Sequence, residues 1–286
     1  MRGARLLGDL KSDAPDLFGV PTGTGLDRMF YTVVFENGRY VKKPLGGIPY
    51  LSVINLTGIP DTGKSVLAEQ FAIKQASSGY RVLFVTVESP AEFLYYPIKQ
   101  KSEAMGADFS KVEKNIVVLD TTEDDELREN LSALLATMRD VISSKKTTVT
   151  VIDSVTGLYE QREVMARGIV RRIYNFLKKE RQTALLVSQK RSSQASESAE
   201  AAGGLAVAHI VDGTVVMDKK LIETVWDVKN YGLPIGTVLR TIRIDGCRMA
   251  PHNTDSWVFE ITDSGLIEIK STLADFIKKT GGKEKN

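Results

Sequence analysis

From residue 51 onward, short apolar and β-branched runs alternate with longer stretches whose apolar positions recur at three and four. That pattern predicts parallel strands joined by crossover helices. Tyr50-Leu51-Ser52-Val53-Ile54-Asn55-Leu56 reads as the first core strand, and Ser65-Val66-Leu67-Ala68-Glu69-Gln70-Phe71-Ala72-Ile73 as the helix after it. The segments 81–87, 116–119, 147–152 and 183–187 are further strand-like runs. Ser89-Pro90-Ala91-Glu92 reads as a helix start, with serine as cap and proline at the first position. Leu127, Leu131, Leu134, Leu135, Met138, Val141 and Ile142 trace one face of a single long helix, and 164–177 forms another; such stripes are core packing. Beyond 204, strand-like segments at 211–217, 221–228, 237–244 and 257–261 follow one another without helices. They predict antiparallel strands added at the C-terminal side. The expected fold class is α/β: a mostly parallel twisted sheet flanked by helices, extended by those strands.

Outside this alternating stretch the pattern changes. Residues 1–46 carry a Gly/Pro turn cluster at 19–25, a strand at Phe30-Tyr31-Thr32-Val33-Val34-Phe35, an Asn37-Gly38 turn and a return at Tyr40-Val41, which predicts a hairpin. This is an N-terminal appendage or oligomerisation segment, before a core at 47–270. Residues 190–204 are rich in Ser, Ala and Glu without apolar periodicity, and predict a mobile loop leaving a strand end. Residues 271–286 read as a polar tail, with a disordered lysine-rich end at 278–286.

Composition narrows the class. The 286 residues are 42% hydrophobic and 26% charged, as in a soluble globular protein, and the formal charge of +2 excludes a strongly basic nucleic-acid coat. Cys247 is the only cysteine, which excludes an intramolecular disulfide and a cysteine-built zinc site and fits a reducing compartment. No apolar run reaches the roughly 18 residues needed to span a bilayer, and no signal-peptide core is visible, so a cytoplasmic location without membrane contact is expected.

The candidate chemistry begins at Gly58-Ile59-Pro60-Asp61-Thr62-Gly63-Lys64-Ser65, which matches G-x-x-x-x-G-K-[ST] and has a strand before it and a helix after it. Glycines at 58 and 63 let the chain aim backbone N–H groups inward at a polyphosphate. The helix start adds its positive dipole end, and Lys64 reaches the terminal oxygens. Gly58, Asp61, Thr62, Gly63, Lys64, Ser65 and Val66 are therefore the candidate ATP-binding residues. Asp61 stands out as a carboxylate beside a polyanion; Asp tolerates a left-handed backbone, so the loop geometry can survive with the side chain turned away. Val149-Thr150-Val151-Ile152-Asp153 follows roughly ninety residues after the loop and ends in an acid, the Walker B pattern, so Ser65 and Asp153 are the candidate Mg²⁺ ligands. Ser154 follows Asp153, so a general base must come from another strand end. Glu88 is the candidate, and Gln189 after Ser188 is placed to meet the γ-phosphate or its water.

This order of parts resembles the RecA superfamily, and within it the KaiC-like and RadA-like ATPases. Gly19-Val20-Pro21-Thr22-Gly23-Thr24-Gly25-Leu26-Asp27, Gly47-Ile48-Pro49 and Val151-Ile152-Asp153-Ser154-Val155-Thr156-Gly157-Leu158 are similar to segments of those proteins. So are 203–212 and 258–266, and the likeness spans most of 20–269. The resemblance implies a RecA-like P-loop fold and ATP bound between protomers of a homo-oligomer, such as a hexameric ring or filament. It also implies basic residues reaching the γ-phosphate from a neighbour. Arg243 matches one such position, Asp245 stands where a second arginine is usual, and Arg248 is the candidate substitute. KaiC-like domains also often carry two adjacent glutamates where this chain has Glu88 and Ser89, so slow or partner-dependent hydrolysis is expected.

The leading function is an Mg²⁺-dependent ATPase acting as an oligomeric switch toward a protein partner. A single-stranded-DNA-binding recombinase relative in DNA repair stays open, although in 190–204 Lys190 and Arg191 are offset by Glu197 and Glu200 and no aromatic can stack a base. A non-hydrolysing nucleotide switch, suggested by Asp61 and Asp245, also stays open. A small-molecule kinase fits least, because nothing resembles a lid or an acceptor site.

Overall fold

The computed structural model describes residues 4–190 and 209–281. The first elements are short: β1 (Gly19–Val20), a hairpin of β2 (Tyr31–Glu36) and β3 (Arg39–Pro44), and β4 (Ile48–Pro49). Asn37 and Gly38 adopt φ of 51° and 76°, the left-handed pair that matches strand twist in a two-residue hairpin turn. β1 pairs with β4, which stitches the turn cluster to the entrance of the core. Within that cluster Asp27 accepts hydrogen bonds from the Thr22 amide and hydroxyl, each at 2.6 Å, and from the Gly23 amide at 3.2 Å.

The core continues as β5 (Val53–Gly58), α1 (Lys64–Ser77), β6 (Val82–Thr86), α2 (Tyr95–Ala104), α3 (Phe109–Asn115), β7 (Ile116–Asp120), α4 (Asp125–Glu129), α5 (Leu131–Lys145), β8 (Val149–Asp153), α6 (Ala166–Lys179) and β9 (Thr183–Gln189). Then come β10 (Gly213–Leu221), α7 (Val225–Tyr231), β11 (Val238–Cys247), β12 (Trp257–Ile261), β13 (Ile267–Thr272) and α8 (Leu273–Gly281). Among the described residues nine strands form one sheet in the order β13-β12-β11-β10-β5-β9-β8-β6-β7. The α/β architecture expected from the alternating pattern is therefore present. β5, β6 and β9 lie between two helical layers, which is why they read as continuous apolar runs. Leu67, Phe71 and Ile73 of α1 pack on one face of the sheet, and Met138 of α5 with Ile173 and Phe176 of α6 on the other. Each such side chain contributes about 1.5–3 kcal/mol when fully buried. Among the described residues no helix is long and apolar enough to cross a membrane.

Several elements differ from the sequence reading. β10 joins β5 in parallel, so only β11, β12 and β13 are antiparallel additions. The segment 221–228 holds the start of a helix where a strand was expected. Val225, Trp226 and Val228 give it strand-like composition, but the Thr224 hydroxyl and the Asp227 carboxylate form a reciprocal capping box that sets the helix start. The single long helix is two, because Asn130 turns its side chain to accept from the Ser132 and Ala133 amides and so caps α5. Ser89 is not a cap either: the amide of Ala91 donates to Asp120 Oδ2 at 2.6 Å, a partner from the end of β7.

The region read as a polar tail begins inside β13 and includes α8. Leu273 and Phe276 of α8 close a small apolar cluster over Ile222, Leu239 and Val258, and Thr280 Oγ1 donates to the Tyr231 carbonyl at 2.8 Å. The spacing of Leu273, Phe276 and Ile277 is helical, but α7, its partner, had been read as strand. Residues 282–286 of the tail, and 191–208 with most of the loop read at 190–204 and most of the segment read at 203–212, lie outside the described residues.

Candidate functional site

Parallel pairing brings the C-terminal ends of β5, β6, β8 and β9 to one edge of the sheet. Thr86 is level with Asp153, Asp153 with Val187, and Gly58 with Gln189. Loops leaving this edge are where open α/β sheets gather ligands. A cleft of about 300 Å³ opens there. It brings together Asp61, Gly63, Lys64, Ser65, Val66, Glu88, Asp153 and Gln189, all singled out from sequence, and adds Pro60, Ser154, Val187 and Ile261.

The phosphate loop is shaped by two glycines. A Cβ at Gly58 would lie 2.3 Å from the Met217 carbonyl oxygen, so only glycine lets β10 pass this close to the loop. Gly63 has φ of 93° and precedes α1, so the helix begins at the cleft, where the amides of its first turn have no partner within the helix. Thr62 Oγ1 and Lys64 Nζ both donate to the Ile59 carbonyl, at 3.0 and 2.8 Å, closing the loop upon itself. Burial pushes the Lys64 ammonium down to about 8, and the carboxylates of Asp153 and Glu88 oppose that shift. Asp61 takes φ of 61°, and its carboxylate is turned out to an ion pair with Lys219 Nζ at 2.8 Å.

Asp153 sits beneath the loop. Burial pushes its carboxyl up to about 6; the Ser65 hydroxyl bonds the carboxylate and opposes the rise, while Glu88 and Glu69 add to it. Between about 3.8 and 6 the folded chain binds this proton more tightly than the unfolded chain, so the group lowers stability as pH rises through that window, with the full cost above about 6. A divalent cation reverses the preference by favouring the carboxylate. If Asp153 holds magnesium beside a bound nucleotide, the tightening of nucleotide binding by magnesium is expected to be full near neutrality and to shrink as pH falls from about 7 to about 5. Titrations of a fluorescent nucleotide with Mg²⁺ and with chelator across that range would check this, and a pH-independent magnesium effect would count against Asp153 as a ligand.

Glu88 has two donors around it. The Ser154 hydroxyl donates to Oε1, and Gln189 Nε2 donates to both carboxylate oxygens, at 3.3 and 3.1 Å. Gln189 is itself fixed, because its backbone amide donates to Thr156 Oγ1 at 2.9 Å. The amide of Val87 donates to the Asp153 carbonyl at 2.9 Å, which ties the chain before Glu88 to β8. The Asp153–Ser154 peptide bond is cis. Gln189, read from sequence as meeting the γ-phosphate or its water, bonds Glu88 in this structure. That Ser154 holds Glu88 is not legible in the sequence, because the two residues lie 66 positions apart. Lys219 was missed altogether: nothing local marks a lysine on β10 that meets the loop 158 residues away.

The two arginines are not brought together. Arg243 lies on β11 opposite Val216, near the level of the phosphate loop, with its guanidinium on the adjacent Asp245 carboxylate. Arg248 follows the other end of β11; its amide donates to the Asp212 carbonyl at 2.7 Å and its guanidinium to the His209 carbonyl. Asp212 in turn accepts from the amide of Val53, where β5 begins, so Arg248 sits at the sheet edge opposite the cleft.

Comparison with known proteins agrees with this fold. A family model described as "ATPase: KaiC" matches residues 20–274. A UPF0273 protein of Pyrococcus furiosus is 28% identical over 239 residues, covering 78% of this chain and 87% of that protein. One from Thermotoga maritima is 27% identical over 241 residues, covering 78% and 89%. Among solved structures, a KaiC-like protein of Pyrococcus horikoshii superposes with a TM-score of 0.65 at 22% identity, over 89% of this chain and 100% of that one. At such identity the likeness speaks to the fold.

Proposed function

The chain belongs to the KaiC family of P-loop ATPases of the RecA type, and on that premise we propose that it is an Mg²⁺-dependent ATPase serving as an oligomeric switch. The observation that carries the reading is the gathering of Lys64, Ser65, Asp153 and a doubly held Glu88 in one cleft at the C-terminal edge of the sheet.

The residues fit Mg²⁺. A serine hydroxyl and a carboxylate, already hydrogen-bonded to each other, are hard oxygen donors, and Mg²⁺ commonly takes one or two protein ligands and completes its shell with phosphate and water. Ser65 and Asp153 would hold the ion, and its charge would offset that building up on the phosphates. Lys64 would exchange its bond to the Ile59 carbonyl for the terminal phosphates, releasing the loop to close around them. Glu88, held by Ser154 and Gln189, would orient a water and accept its proton. Arg243 would exchange Asp245 for a phosphate of a neighbouring protomer's nucleotide, so that assembly and turnover rise together.

The test is mass and phosphate release measured on one sample across protein concentration, with and without Mg²⁺-ATP. The expected result is a turnover per protomer that grows as the assembly forms. Nucleotide-driven assembly without phosphate release would favour the non-hydrolysing switch, for which the Arg243–Asp245 pair speaks. Concentration-independent turnover by a monomer would overturn the shared-site reading.

A further inference from the structure

Asp61 puts a fixed negative charge on the lip of a cleft that presents a lysine and a helix start. Its backbone, at φ of 61°, asks only for glycine or a small polar residue, so the carboxylate answers no need of the turn. The carboxylate is 77% exposed, but it is engaged: Lys219 Nζ, 28% exposed, holds Oδ2 at 2.8 Å. Lys64 and Arg240 also act on it electrostatically, and with Lys219 first among the causes they hold Asp61 below the usual carboxylate range. Arg240 stands directly opposite Lys219 in the β10–β11 register. β10 is also the strand whose Met217 carbonyl crowds Gly58, so Lys219 is delivered to the loop by a backbone that already touches it. An exposed ion pair adds little to stability. Here it gathers cations around one side chain at a place where a polyphosphate would want them.

We propose that Asp61 is a resident anion standing in for phosphate charge, and that Lys219 is a second phosphate-binding cation beside Lys64, held by Asp61 until a nucleotide takes it over. The inference rests on the reading of the loop as a nucleotide site and adds a specificity element to it. Binding becomes an exchange of anions on Lys219. The more highly charged triphosphate displaces Asp61 more readily than a diphosphate does, so the pair favours ATP over ADP.

The test is calorimetric titration of the full-length protein with ATP and with ADP in the presence of Mg²⁺, for wild type, Asp61→Asn, Lys219→Met, the double variant and Lys219→Arg, with Lys64→Ala as reference and melting curves for integrity. Asp61→Asn should tighten ATP binding about fivefold, and Lys219→Met should weaken it about tenfold in both the wild-type and Asp61→Asn backgrounds. Lys219→Met should also narrow the gap between ATP and ADP, and Lys219→Arg should restore most of the affinity. If Lys219→Met has no effect once Asp61 is neutral, Lys219 serves only the carboxylate and the proposal falls. An unchanged affinity in Asp61→Asn overturns it as well. In both cases wild type would still bind ATP in a Lys64-dependent way and the nucleotide site would stand; a folded wild type that binds no nucleotide would sink both readings.

Discussion

Lys64→Ala should lower nucleotide affinity on the order of a hundredfold to a thousandfold while leaving the fold intact. The buried ammonium is the positive charge that the loop delivers to its center, and the carboxylates of Asp153 and Glu88 surround the same space. Without it an incoming polyanion meets two acids at the center of the loop, with only Lys219 at the lip to offset them. The fold should survive because the ammonium is itself a burden: it is held at about 8, against an ordinary 10.5. Below about 8 both folded and unfolded chains carry the proton, so the cost of burying the charge is fully present. Between about 8 and 10.5 the folded chain releases the proton first and the cost fades, so wild type gains stability with pH in that window and the variant does not. Calorimetry at neutral pH and melts across the alkaline range check both halves. Unaltered affinity in a folded variant would remove the basis for placing the nucleotide here.

Glu88→Gln should cut turnover by about two to four orders of magnitude and change nucleotide affinity little. The substitution keeps length and shape, and the new amide oxygen can still accept from Ser154 and Gln189, so the positioning survives and only the capacity to take a proton is lost. Single-turnover phosphate release set beside nucleotide binding on the same preparations separates the two effects. Near-wild-type turnover in this variant would move the general base elsewhere.

Much of the site was legible because it is local. The octapeptide 58–65 carries its strand and helix with it, and the acids at 88 and 153 each end an apolar run, so sequence alone placed them at strand ends. What was not legible depends on pairing across the sheet. Gln189 could be placed at a strand end, but its grip on Glu88 follows from β6 and β9 flanking β8. Lys219 reaches Asp61 only because β10 lies beside β5, and that strand had been expected to run the other way. The errors in the fold share a cause. Val225 and Trp226 favour a strand by composition until Thr224 and Asp227 cap each other, and the apolar spacing of 127–142 reads through Asn130 because periodicity is blind to a side chain that turns back on its own backbone.

The two jobs of the cleft are anchored differently. Thr62 and Lys64 bond a carbonyl only a few residues away, so the proposed grip on phosphate is built chiefly within one short turn, with Lys219 reaching it from β10. Glu88 is steadied from β9 and from the residue after β8, so its aim depends on neighbouring strands staying in step, and a slip of one residue, about 3.3 Å, would carry both props away. On the proposed reading, capture is therefore the robust half and chemistry the fragile half, and loosening the sheet would leave a molecule that holds nucleotide but no longer spends it.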